Sequence, residues 1–137
     1  MRRITRIVLA GLLLMAMATQ MALAGSPHFV SVTVTRDGNT LTVSGKEAGL
    51  GNETQVHIVV TATAACINPG SHHPKAANKE SVSAEGDFPV QNGKANFSLS
   101  LTATFQPDCT PPMTVVFTDV TVSDAEHGIT ESFPGTY

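Results

Sequence analysis

The groups able to do chemistry in this chain are five histidines, 11 carboxylates and two cysteines. His72 and His73 stand side by side between Pro69 and Pro74. An exposed imidazole there can meet a metal ion, with His28, His57, His127 or a carboxylate to complete the shell. Neighbouring residues of an extended segment point to opposite sides, however, so adjacent histidines seldom chelate one ion together. The spacings His-x-His, His-x-x-x-His and Cys-x-x-Cys do not occur. The expectation is solvated loop histidines, with no metal and no cofactor assigned. His57 sits among valines and isoleucine, and a general base needs a nucleophile and an orienting acid within hydrogen-bond reach. No Gly-x-Ser-x-Gly elbow singles out a serine, so His57 reads as a sheet-surface histidine. Asp119, between Thr118 and Val120, is an unusual acid in an apolar strand. A raised pKa or a bound cation is one account; solvent exposure or a bulge is the expected one. No catalytic residue is nominated.

Cys66 and Cys109 are the only cysteines, and each lies where a strand-like run meets a proline-containing loop. In an exported chain two cysteines are expected to pair. Neither has the adjacent cation or second nearby thiol that would activate a free sulfur. The bond would tie two loops at one end of the fold.

Export is expected from the first residues. Arg2, Arg3 and Arg6 precede an apolar run over residues 7–17, and Ala22-Leu23-Ala24 forms a small-x-small cleavage site before Gly25. Residues 1–24 therefore read as a signal peptide and 25–137 as one domain, secreted or periplasmic, with no integral membrane span after cleavage. The leader holds three of the eight basic residues, leaving five against 11 acidic ones. Nucleic acid is a poor partner for that balance.

The mature chain reads as seven or eight short strands. Val30, Val32 and Val34 alternate with Ser31, Thr33 and Thr35, the period of a half-buried strand. Asp37-Gly38-Asn39 turns the chain, and Leu41 and Val43 face inward on the return. Residues 46–53, with two further glycines, read as a loop. Residues 55–65 form a central strand with Val56, Ile58 and Val60 on one face and Val59 and Ala65 on the other. Residues 67–78 are irregular. Short strands are expected at 80–84 and 88–91, a two-residue hairpin at Asn92-Gly93, and a clean alternation through Phe97, Leu99 and Leu101 over 94–105. In residues 114–122, Val116, Val120 and Val122 fall on one face and Val115 and Phe117 on the other, which requires a bulge or burial on both sides. A weak edge strand ends the chain at Ile129, Glu131 and Phe133. The fold class is all-β, an antiparallel immunoglobulin-like sandwich with one disulfide.

Three stretches carry a resemblance: Leu41-Thr42-Val43-Ser44-Gly45 after the Val-Thr-Val strand, Cys66-Ile67-Asn68-Pro69-Gly70, and Cys109-Thr110-Pro111 before Phe117-Thr118-Asp119-Val120-Thr121. In these the chain resembles a group of small exported bacterial proteins of unassigned function. The resemblance implies a sandwich fold and an address outside the cytoplasm, and no reaction. The leading expectation is a non-enzymatic binding or envelope-associated module. Its candidate contact residues are Asn68, His72, His73, Pro111 and Met113, and its partner is an unidentified protein or cell-envelope ligand. A small metal-dependent or hydrolytic enzyme and a secreted protease inhibitor are the alternatives.

Overall fold

Alternating apolar and hydroxyl residues give each strand one face to bury, and two such faces meet here. The computed structural model describes residues 25–68 and 78–137; the leader and His72/His73 lie outside them. Seven strands run β1 (His28–Asp37), β2 (Thr40–Ala48), β3 (Gln55–Ile67), β4 (Lys79–Pro89), β5 (Ala95–Thr102), β6 (Thr114–Asp124) and β7 (Ile129–Phe133). They form two antiparallel sheets, β1-β2-β5 and β4-β3-β6-β7. Leu41, Val43, Phe97 and Leu101 of the first sheet close on Ile58, Val60, Phe117 and Val122 of the second, all buried. The result is a three-plus-four immunoglobulin-like sandwich, with β3 central in its sheet as its two-sided apolar pattern predicts.

Several boundaries differ from the sequence reading. The two short strands expected at 80–84 and 88–91 are one strand, β4. The strand expected over 94–105 is regular only as far as Thr102. Asn92 and Gly93 adopt the positive φ of a tight turn, closed by the paired bonds between Gln91 and Lys94. The hairpin expected here is not formed: beyond this single bridge the chain crosses from one sheet to the other, since β4 and β5 belong to different sheets. In β1 a register shift between Val30 and Thr33, with Ser31 at φ 55°, leaves Val30 exposed while Phe29, Val32 and Val34 pack on the core.

The larger irregularity is in β6. Its pairing with β3 shifts register between Thr61 and Thr63, where Asp119 is the extra residue and sits at φ 54°. Before this bulge Val115 and Phe117 are buried; after it Val120, Val122 and Asp124 are. Val116 therefore does not share a face with Val120. One inserted residue brings both apolar sets into the same core, and it also turns Asp124 inward.

In the first sheet Gly45 makes room at an inward position. A Cβ there would meet Val32 Cγ2 at 2.9 Å, Phe97 Cζ at 3.0 Å and the Val32 backbone at 3.1 Å. Gly45→Ala is expected to destabilise the fold by about 1–3 kcal/mol through overpacking, measured by urea unfolding. A change below a few tenths of a kcal/mol would mean that the β1 bulge gives way freely.

Candidate functional site: two poles of the sandwich

Of the candidate contact residues, the described ones, Asn68, Pro111 and Met113, gather with the disulfide at one pole. Cys66, near the end of β3, is bonded to Cys109 in the connection from β5 to β6, with a Cα–Cα distance of 5.8 Å. Met113 Sδ lies 3.7 Å from Cys66 Sγ. This is a packing contact rather than a hydrogen bond, because a disulfide sulfur carries no proton. The 103–113 connection is also held by backbone and carboxylate. Ala103 N–H donates to Asn39 O at 2.9 Å and Thr104 N–H to Glu80 Oε1 at 2.7 Å. Asn68 and Pro111 are exposed and Met113 is half-buried. Beside them a cavity of about 200 Å³ is lined by Ala65, Ile67, Lys79, Val116, Thr118 and Thr136, among others.

His57 lies on the outer face of the second sheet, as expected. Its Nδ1 is 2.7 Å from Asp87 Oδ1 and its Nε2 3.3 Å from Glu85 Oε2, both on the paired strand β4. Hydrogen bonds to Asp87 and then Glu85 raise its pKa above the ordinary histidine value. Both ring nitrogens face carboxylates, so no nucleophile is engaged. Asp119 is exposed at the bulge.

The opposite pole holds a cluster that the sequence reading did not assemble. Cys66 pairs with Val115 at one end of β6 and Asp124 ends the strand, roughly 25–30 Å away at about 3.3 Å per residue. The alternation that buries Leu41 and Val43 continues past Gly45, so Glu47 also points inward and is 0% exposed. Residues 46–48 thus belong to β2, not to a loop. Asp124, turned in by the bulge, is likewise 0% exposed. In the turn after β6, with Gly128 at φ 67°, His127 N–H donates to Asp124 Oδ1 at 3.3 Å, and the ring Nδ1 lies 2.5 Å from Asp124 Oδ2. The ring Nε2 lies 2.9 Å from Oε1 and 2.8 Å from Oε2 of Glu53. Glu53 comes from the loop between β2 and β3.

A ring flanked by two carboxylates, both acceptors only, needs two N–H donors and so favours imidazolium. Burial pulls the His127 pKa down, but the bonds to Asp124 and Glu53 outweigh it and the net shift is upward. Glu47 is pushed up to about 8, first by burial and then by the neighbouring Asp124 carboxylate. Both Glu47 oxygens are buried with no hydrogen-bond partner, a costly state for an ionised carboxylate. One oxygen or nitrogen each from Glu47, Asp124 and His127 lie within 4.8 Å of one another. Chemically, the cluster can hold a proton or a cation. It presents no nucleophile on the imidazole, because both nitrogens are engaged by acids.

Among the described residues no helix is long and apolar enough to cross a membrane. No protein-family profile and no curated protein matches this chain.

Proposed function

We propose that this chain is an exported, non-enzymatic β-sandwich protein, secreted or periplasmic, that binds a protein or cell-envelope ligand through the loops at the Cys66–Cys109 pole. The observation that carries this reading is the 103–113 connection. Residues 106–108 and 110–112 are exposed, yet the segment is anchored by the disulfide, by Asn39 and by Glu80. An exposed loop with little core of its own, braced on a rigid scaffold, lowers the ordering cost of recognition. The disulfide and the small-x-small leader both favour an oxidising compartment. The acidic excess of the mature chain argues against nucleic acid as the partner.

The test is saturable binding of the purified protein to washed cell-envelope fractions. Wild type is compared with Asn68→Arg/Thr110→Arg, two exposed positions at this pole. The double variant should lose about tenfold or more in retention, since central contacts carry most of the binding energy, while its thermal midpoint stays unchanged. Absence of saturable binding by wild type, or equal retention of both proteins, overturns the reading.

A further inference from the structure

We infer that Glu47, Asp124 and Nδ1 of His127 form a site for a single divalent ion of the first transition row, of the zinc class, that staples the two sheets together. The site lies at the pole opposite the proposed recognition loops and does not depend on them. Three independent features of the geometry support it. The donor atoms converge within 4.8 Å, a span that side-chain adjustment can close to metal–ligand bonds of about 2.0–2.2 Å. Glu47 is fully buried in this cluster with neither oxygen meeting a hydrogen-bond donor. The third feature is Glu53, on the far side of the imidazole. Its carboxylate lies 2.8 Å from Nε2, the position from which carboxylates commonly fix the ring of a metal-bound histidine.

The donor set also selects the ion. Calcium and magnesium take oxygen ligands, whereas an imidazole nitrogen beside two carboxylates suits zinc and its neighbours. On binding, Nδ1 of His127 and the Glu47 carboxyl release their protons to solvent and ligate the ion, and Nε2 keeps its proton for Glu53. Glu47 belongs to β2 of the three-stranded sheet and Asp124 to β6 of the four-stranded one. One ion therefore cross-links the layers at the end the disulfide does not reach.

The experiment titrates Zn²⁺ into the metal-stripped mature protein by calorimetry, with thermal unfolding alongside. The expected result is one equivalent bound at micromolar concentration and a raised thermal midpoint. Millimolar Ca²⁺ or Mg²⁺ should produce neither effect. Glu47→Gln and His127→Gln should each weaken binding by about tenfold or more, and His72→Ala/His73→Ala should leave it intact. If a cluster variant fails to fold, the Co²⁺ spectrum of wild type decides: a single site with mixed nitrogen and oxygen ligation supports the assignment. No saturable Zn²⁺ binding, binding that survives both cluster substitutions, or binding lost with His72/His73 overturns it.

Discussion

Replacing both cysteines, Cys66→Ala with Cys109→Ala, is expected to lower the unfolding free energy by about 4 kcal/mol. The bond spans a sequence separation of 43, and closing a loop of that length removes much of the freedom of the unfolded chain. A domain of this size has about 5–15 kcal/mol in total, so the loss is a large share. The closed loop takes in the end of β3, all of β4 and β5, and the crossover to β6. It therefore restrains both layers. Alanine suits the Cys66 position, which is 6% exposed, so packing loss is small beside the entropic effect. Urea unfolding should show the midpoint falling by roughly 2–3 M, with a slope that reports a more expanded unfolded state. A decrease below about 1 kcal/mol would mean that the 103–113 connection is held chiefly by Asn39 and Glu80, and that the disulfide restrains a denatured chain already compact.

The sandwich was legible because its signals are local. Period-two alternation marks β2 and β5, glycine and asparagine mark the turns at 38–39 and 92–93, and proline confines the cysteines to strand ends. The Glu47–Asp124–His127 cluster was not, although each part has a trace in the chain. Gly45, Gly49 and Gly51 suggest a loop, yet the inward series through Leu41 and Val43 runs on to Glu47 without a break in phase. The phase conflict between Val115/Phe117 and Val120/Val122 calls for a bulge, but not for the position of its extra residue. Once the bulge turns Val120 and Val122 inward, Asp124 follows in the same phase and enters the core. The final step is wholly tertiary. His127 meets Glu53 across 74 residues, and Glu47 meets Asp124 from the other sheet. No spacing in one dimension encodes such a meeting. At the Cys66 pole the reverse holds, since a chain with only two cysteines offers a single possible intrachain pairing.

With metal removed by chelator, the protein should be markedly less stable at pH 9 than at pH 5, and Glu47→Gln should abolish most of the difference. Glu47 has its pKa raised from 4.5 to about 8 in the fold, so the native state holds a proton that the unfolded chain releases. Its favourable contribution is complete below about pH 4.5 and is lost as pH rises through about 8. A shift of this size corresponds to on the order of 5 kcal/mol across that window at 1.36 kcal/mol per unit. The groups facing it are Asp124, His127 and Glu53. His127, raised against its burial, adds a decline of the same sign above its ordinary titration range, and exposed His57 adds a smaller one. Glutamine keeps the shape of the protonated acid and donates an amide N–H to Asp124, so the variant should exceed wild type in stability at pH 9. Chemical denaturation at pH 5, 7 and 9 measures the three differences. Equal stability of wild type across that range, or a parallel decline in Glu47→Gln, would mean that the buried carboxyl is ionised in the native fold and that another donor or cation already balances it.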